Sequence, residues 1–213
     1  MKNKIIYSLV FFLFTFQIIA AQGNAEANKI ITDLLANAKT NAIKTNFKLA
    51  INEKSSPQTQ VSSGTFTIKG NKFVLEMDAM KVFFDGKTQW AYVPQNNEVS
   101  ITEPSEMELA ETNPMAILSG FKSKSNVQFS KKVKSDQNYC LEMLPTAKNK
   151  DITKIEVQIN KTNGNLFSIK LINKNGSASV LTLSSFQKGL KVNDAAFVFD
   201  KAKYKNVVEN DLR

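Results

Sequence analysis

The stretch GTFTIKGNKFVLEMDAMKVFFDGKTQWAYVP, residues 64–94, decides the fold class. Apolar side chains recur at every second position from Phe66 to Ile68 and again from Phe73 to Met77. A period of two is typical of a β-strand with one apolar face and one polar face. Asp85-Gly86 separates two further strand-like runs, and this dipeptide favours a type I′ hairpin turn. The stretch therefore predicts consecutive antiparallel strands.

The same alternation continues on both sides of this stretch. It appears in residues 45–52, 139–143, 154–160 and 167–171. In the second half, Asn163-Gly164 and Asn175-Gly176 separate strand-like runs, and Asn-Gly is a strong hairpin signal because both central residues of a type I′ turn need positive φ. The sequence therefore predicts a mainly β protein whose strands, about eleven of them, are antiparallel and joined as a meander.

Two segments replace the period of two with helical patterns. Residues 25–43 carry apolar side chains three and four positions apart, which predicts an amphipathic helix at the start of the fold. Residues 103–122 predict a short internal helical segment. There Asn113 can cap the helix, Pro114 suits its first turn and Gly120 can close it. Both helices are expected to pack on the sheet, because a long meander curls and has an apolar concave face.

Residues 1–21 have the pattern of a secretory signal peptide. Lys2 and Lys4 precede an apolar run from Ile5 to Phe16, and the small residues that follow predict cleavage after Ala21. Residues 22–213 would then form a single exported domain. The alternative is a retained membrane anchor, because the apolar segment is close in length to the shortest bilayer-spanning helices.

The composition removes several kinds of catalytic chemistry. The chain has no histidine and one cysteine, Cys140. Histidine-based triads, Cys/His zinc sites and disulfides within the chain are therefore excluded. We expect Cys140 to be a shielded structural residue, because no histidine can activate it. We predict no enzymatic activity, no cofactor and no metal site.

Charged residues form two local groups. Acidic residues near the second predicted helix are Glu103, Glu106, Glu108 and Glu111. We interpret them as a solvated helix end and not as the paired carboxylates of a glycosidase. The basic group is Lys131, Lys132 and Lys134. We interpret it as a solvated strand face, with the steering of a partner at a membrane as the alternative.

The net charge of +9 comes almost entirely from lysine, and Arg213 is the only arginine. Proteins that identify nucleic-acid bases usually use arginine for bidentate contacts, so we expect no nucleic-acid partner.

The apolar concave face is the candidate binding site. Either the helices fill it as an ordinary core, or it keeps a cavity for an apolar ligand. The strand residues expected to face inward are Phe47, Leu49, Phe66, Ile68, Phe73, Leu75, Met77, Trp90 and Tyr92. The helical residues expected to cover them, either as a mobile lid or as a docked part of the core, are Met115, Ile117, Leu118 and Phe121.

These motifs, taken in order, resemble the periplasmic outer-membrane lipoprotein carrier family LolA. The strand Gly64–Lys69, the apolar strand Phe73–Met77 and the hairpin Phe84–Pro94 are similar to consecutive strands of that family. Asn113–Leu118 resembles the start of its lid helix, and Asp194–Phe199 resembles its final strand. The resemblance spans nearly all of the chain after the predicted signal peptide.

The resemblance implies an unclosed antiparallel half-barrel of about eleven strands under a helical lid. It also implies a monomeric periplasmic carrier that binds the acyl chains of lipoproteins, with an inner-membrane donor transporter and an outer-membrane acceptor as partners. An acyl chain of about 15 methylenes exposes apolar surface worth on the order of 12 kcal/mol, so it needs a shield to cross water. A lid that competes with the lipid for the cavity would allow release.

One position departs from the family pattern. Where well-studied members have an arginine that locks the lid, this chain has Lys69-Gly70-Asn71, which leaves the release mechanism and the cargo open. Two alternatives remain. One is a carrier of the same fold for another lipid, such as a polyene, hopanoid or glycolipid. The other is a periplasmic sensor module that binds a signalling protein.

Overall fold

A computed structural model describes residues 24–39, 42–56, 58–105, 108–109, 113–146 and 151–213. The predicted signal peptide lies outside these ranges, as do Glu106 and Glu111. Within them, twelve strands form one sheet, accompanied by an N-terminal helix and a shorter internal helix.

The elements follow one another along the chain as two groups of strands. Helix α1 spans 24–39 and is followed by β1 (Ile43–Asn52), β2 (Gln60–Lys69), β3 (Lys72–Met77), β4 (Lys81–Phe84), β5 (Gln89–Val93) and β6 (Glu98–Thr102). Helix α2 (Pro114–Lys122) precedes β7 (Ser125–Phe129), β8 (Asn138–Pro145), β9 (Ile152–Asn160), β10 (Leu166–Asn173) and β11 (Ala178–Lys188). The chain ends with 3-10 turns at Asp194–Phe197 and Lys201–Lys203 and with β12 (Val208–Asp211).

The sheet is an open half-barrel made of two meanders. The strands β1–β6 pair consecutively, as do β7–β11, and β1 joins the two groups by pairing with β11. The predicted single meander is therefore wrong, although β1–β11 are all antiparallel. β12 adds a twelfth strand parallel to β6, so the sheet is mixed, and β12 and β7 form its two unjoined edges.

The strand register places an aromatic row on the concave face. Phe73 of β3 pairs with Ile68 of β2 and with Phe84 of β4. The ring of Phe73 lies 5.5 Å from that of Phe66 and 5.4 Å from that of Phe84. Nearby, a Cβ on Gly64 would come within 1.9 Å of the carbonyl oxygen of Glu76, so this position requires glycine.

Both helices pack on this face and share one hydrophobic core with the strands. α1 contributes Ala27, Ile31 and Leu34, and α2 contributes Ile117 and Leu118. At the end of α1, the N–H of Gly70 donates to the carbonyl oxygen of Ala38 over 3.2 Å, which ties the helix to the β2–β3 turn. The prediction that this helix continues to residue 43 is wrong, because Ile43 already pairs with Ile68 in the sheet.

The hairpins lie where the Asp-Gly and Asn-Gly signals predicted them. Their turns, however, are not of the predicted type I′. Gly86, Gly164 and Gly176 have positive φ, as such turns require. The non-glycine residues with positive φ in the described chain are Asn97, Ser185 and Asn206. The residue before each turn glycine therefore has negative φ, and the loops are longer turns in which glycine alone supplies the left-handed conformation.

The start of α2 agrees with its sequence signals. The side-chain oxygen of Asn113 accepts a hydrogen bond from the N–H of Met115 at 2.9 Å, and Pro114 occupies the first turn. Gly120 does not close the helix, contrary to the prediction. α2 continues to Lys122 and is capped at Ser123.

Replacing Asn113 by alanine is expected to lower the free energy of unfolding by about 1 kcal/mol, because a helix N-terminus then loses its acceptor. Urea denaturation followed by circular dichroism measures the change. Ser123→Ala, at the other end of α2, is the matched control and should change the stability by less than about 0.5 kcal/mol. Equal losses for the two variants would contradict a specific role for the cap.

Candidate functional site

The concave face contains most of the residues that the sequence placed there. Phe47, Phe66, Ile68 and Phe73 are buried, and Leu49, Leu75 and Met77 are partly buried against the same core. From α2, Ile117 and Leu118 are buried, and Met115 and Phe121 are partly buried against the core. The predicted residues of the sheet and of α2 thus belong to one core, while their contact with a lipid stays a prediction.

Trp90 and Tyr92 do not belong to this face. Phe84 faces inward because it pairs with Phe73, and its neighbour Phe83 faces outward and pairs with Trp90. The prediction that Trp90 and Tyr92 face inward is therefore wrong. The apolar alternation of β5 indicates that Trp90 and Tyr92 share one face, but the β4–β5 register decides which face is turned to the core.

The outer face of β5 has its own aromatic cluster, formed with residues 190–213, which we call the C-terminal segment. The ring of Tyr92 lies 4.4 Å from that of Tyr204 and 5.7 Å from that of Phe199. Val99 of β6 is fully buried in the same cluster. The C-terminal segment therefore covers the outer side of this part of the sheet.

A small apolar pocket remains on the concave face, between the two helices. Its volume is about 50 Å³. Its apolar lining comes from Leu34, Ala38, Ile43, Phe66, Ile68, Pro114, Met115, Leu166, Leu183 and Phe186. Asn37, Asn165 and Lys188 add polar groups at the end where the β9–β10 loop lies.

The pocket includes residues that sequence analysis did not select, chiefly on β11. Leu183 and Phe186 both line it although they are three positions apart. A bulge explains this, because Lys44 pairs with Gln187 while Asn46 pairs with Ser184, and Ser185 between them has φ 55. The serine pair before Phe186 breaks the alternation of β11, and this break is the only sequence signal of the bulge.

The pocket is much smaller than a site for a lipid. Sites that enclose a drug-sized ligand have volumes of about 300–1,000 Å³, many times the space present here. An acyl chain can therefore occupy the concave face only if a helix moves away from the strands. α2 is the shorter helix and packs on β7 and β8.

Lys69, which stands near the position of the family's lid-locking arginine, has a different partner. Its ammonium group donates to the carbonyl oxygen of Val192 at 3.1 Å and pairs with Asp194 at 2.8 Å. Lys72 also pairs with Asp194, at 2.7 Å. These bonds hold the C-terminal segment on the outer face and do not reach α2. The segment predicted as the final strand, Asp194–Phe199, instead begins with a 3-10 turn.

Hydrogen bonds from Lys69 and Lys72 lower the pKa of Asp194 from 3.8 to about 2. Because the folded-state pKa is lowered, this carboxylate stabilises the fold above about pH 4, and the contribution is lost as the pH falls toward 2. Asp194→Asn should therefore be less stable than the unmodified protein at pH 7, and the difference should shrink to zero near pH 2. Urea titrations across this range measure it, with the exposed Asp136→Asn as control. A difference that does not depend on pH would contradict the ion pairs.

The thiol of Cys140 and the acidic residues near α2 lie in surroundings that suit a structural role. Cys140 is buried on the outer side of β8, and its burial raises the pKa of the thiol, which makes it a poor nucleophile. Glu103 pairs with Lys87, and Glu108 accepts hydrogen bonds from the backbone and hydroxyl of Ser105. In the described ranges, no group of three or more acidic, cysteine or histidine side chains is arranged to hold a metal ion.

Comparison with known proteins identifies the family. The family model described as outer membrane lipoprotein carrier protein LolA matches residues 17–176. The chain belongs to the LolA family. This family is one of carrier proteins, and its match covers α1, α2 and most of the strands that form the concave face.

Individual relatives agree with this assignment. The outer-membrane lipoprotein carrier protein of Shewanella loihica is 27% identical over 183 residues, which cover 84% of this chain and 83% of the relative. Its counterpart in Shewanella oneidensis is 27% identical over 161 residues, 74% of each chain. An uncharacterized conserved protein from Thermus thermophilus has a similar fold, with a TM-score of 0.56 at 11% identity over 87% of this chain and 99% of that one. In the described part of this LolA-family chain, no helix has the length and apolar character needed to cross a bilayer.

Proposed function

We propose that this LolA-family protein is a periplasmic carrier that binds the acyl chains of lipoproteins and transports them from the inner to the outer membrane. The observation that carries the proposal is the continuous apolar concave face, on which two helices pack with a small pocket between them. An apolar face of this extent can shield acyl chains, provided that a helix gives way.

The exchange of helix for lipid explains both capture and release. With α2 docked, Leu118 and Ile117 are buried in the same core as the residues of the concave face. When lipid occupies that face, α2 moves outward, and the strand residues Phe47, Leu49, Phe66, Ile68, Phe73, Leu75 and Met77 contact the acyl chains. When the lipid leaves, docking of α2 replaces most of the apolar contacts that the strands lose. Delivery to an acceptor therefore requires only a modest difference in free energy between the lipid-bound protein and the protein with α2 docked.

The remaining parts of the proposal follow from this role. Residues 1–21 direct export and are removed, and residues 22–213 act as a monomeric carrier domain. The carrier receives lipoproteins from an inner-membrane transporter and gives them to an outer-membrane acceptor. It performs no covalent chemistry and uses no cofactor.

Mass spectrometry of the protein purified after export tests the cargo. Acylated lipoproteins in roughly equimolar amount would support the proposal. A polyene, hopanoid or glycolipid would keep the binding face but change the cargo. The absence of any lipid, together with no fluorescence increase on adding the neutral apolar dye N-phenyl-1-naphthylamine, would refute it and favour a sensor module. Deletion in the source cell should also leave lipoproteins at the inner membrane, and unchanged sorting would refute the transport step.

A further inference from the structure

Exposed lysines and one exposed phenylalanine surround the end of the sheet at which the pocket lies. We call this group the basic rim, and it consists of Lys131, Lys132, Lys134, Lys161, Lys188 and Phe167. The first three lie in the β7–β8 loop, which corrects their interpretation as a strand face. The others lie in the β9–β10 loop, at the end of β11 and at the start of β10.

Hydrogen bonds join the loops that carry the basic rim, and Lys188 of the rim also lines the pocket. The backbone N–H of Lys161 donates to the carbonyl oxygen of Gln137 at 2.9 Å, which joins the β9–β10 and β7–β8 loops. The ammonium group of Lys188 donates to the carbonyl oxygen of Asn163 at 3.2 Å. Gly164, Asn165 and Lys188 also line the pocket. The basic rim is therefore continuous with the wall of the pocket.

The basic rim keeps a net positive charge within the described part of the chain, because its five lysines outnumber Asp136, the acidic residue of the β7–β8 and β9–β10 loops. Its lysines form no ion pair there, and Lys134, Lys161 and Lys188 donate to backbone carbonyl oxygens. Elsewhere on the sheet, lysines such as Lys72 and Lys154 have carboxylate partners. A carbonyl oxygen orients an ammonium group without cancelling its charge, so this end of the sheet attracts anions.

Phe167 adds an apolar anchor to this charge. Leu166 pairs with Ile159 while Ser168 pairs with Gln158, so Phe167 lies at a register shift in β10. Its side chain is 42% exposed, although its two neighbours in sequence are buried. An exposed aromatic ring among lysines is typical of proteins that rest on a membrane surface, where the ring enters the interface and the lysines meet lipid phosphates.

We propose that the basic rim docks the protein on an anionic phospholipid bilayer, with the pocket facing the lipids. This deepens the proposed function, because it sets the orientation in which an acyl chain would enter between α1 and α2. An anionic membrane suits the basic rim better than an acidic protein does, because adsorption to a charged surface needs only several lysines and an aromatic anchor. Specific protein interfaces depend more on arginine and well-packed aromatic pockets.

Co-sedimentation with vesicles tests the docking. The purified protein should bind vesicles of equal phosphatidylglycerol and phosphatidylcholine, and binding should disappear with phosphatidylcholine alone or in 0.5 M NaCl. The variant Lys131→Gln/Lys132→Gln/Lys134→Gln should bind about 100-fold more weakly, because the loss of each lysine weakens binding about fivefold. Phe167→Ser should weaken binding about tenfold.

A matched control removes the same charge from the opposite end of the sheet. Lys54→Gln/Lys124→Gln/Lys174→Gln should bind the anionic vesicles as the unmodified protein does. Equal losses in the two triple variants would overturn the proposal in favour of a net-charge effect. Failure of the unmodified protein to bind these vesicles would also overturn it, and retention on polyglutamate beads would then indicate an acidic protein partner. Dye binding without vesicle binding refutes only the docking, whereas vesicle binding with neither dye binding nor co-purified lipid refutes the carrier function.

Discussion

Replacing Phe73 by alanine is expected to lower the free energy of unfolding by about 3–5 kcal/mol. Phe73 is fully buried and lies between Phe66 and Phe84 in the aromatic row of the concave face. Truncation removes the contacts on both sides of its ring and leaves a cavity that the β-sheet cannot close, because its backbone hydrogen bonds hold the strands at fixed spacing. Guanidinium denaturation monitored by the fluorescence of Trp90 gives the measurement.

The control for this prediction is Val61→Ala on the adjacent strand β2. Val61 is 55% exposed, so its truncation should change the stability by no more than about 0.5 kcal/mol. A loss below 1 kcal/mol for Phe73→Ala would contradict a tightly packed concave face. It would show that the helices and strands enclose a space that adjusts easily to missing volume.

Replacing Leu118 by alanine is expected to strengthen the binding of N-phenyl-1-naphthylamine by about 10- to 30-fold. Leu118 is fully buried under α2, and truncating a buried leucine costs at least about 2 kcal/mol of packing. If the lid must leave before an apolar ligand enters, that loss increases the population of the open state. The apparent dissociation constant then falls in inverse proportion to the open population. Fluorescence titration with the dye measures the change.

The equally buried Ile31→Ala in α1 distinguishes the two helices. If α2 is the lid, Ile31→Ala should lower the overall stability without strengthening dye binding. A gain for Ile31→Ala and none for Leu118→Ala would assign the lid to α1. If both variants only destabilise the protein, the two helices are permanent parts of the core, and the exchange of helix for lipid is refuted.

Local sequence patterns predicted the structure correctly where the residues of one element determine its conformation. The alternation around Phe66 and Phe73 predicted strands and their inner face, because those strands are joined by a tight turn that preserves the parity. The Asn113-Pro114 pair predicted the start of α2, because a helix cap depends on residues within one turn. The hairpin positions followed from the turn glycines for the same reason.

Sequence patterns did not predict the structure where contacts with a distant segment of the chain decide it. Trp90 and Tyr92 alternate as regularly as the residues of β3, yet they face the C-terminal segment, and Tyr204 lies far along the chain. The pairing of β1 with β11 joins positions such as Thr45 and Ser184, which are 139 residues apart. The bulge at Ser185, which turns Phe186 toward the pocket, likewise depends on this pairing.

The sequence by itself determined a mainly β chain with two helices, an apolar strand face, a cap for α2 and a composition without histidine. These properties depend on backbone periodicity and on short-range hydrogen bonds, which neighbouring residues encode. Only the tertiary structure decided which face of β5 is inside, that Lys69 holds the C-terminal segment, and that the pocket lies beside the basic rim. Each of these depends on strand register and on contacts between remote segments, where a shift of one residue exchanges the two faces of a strand.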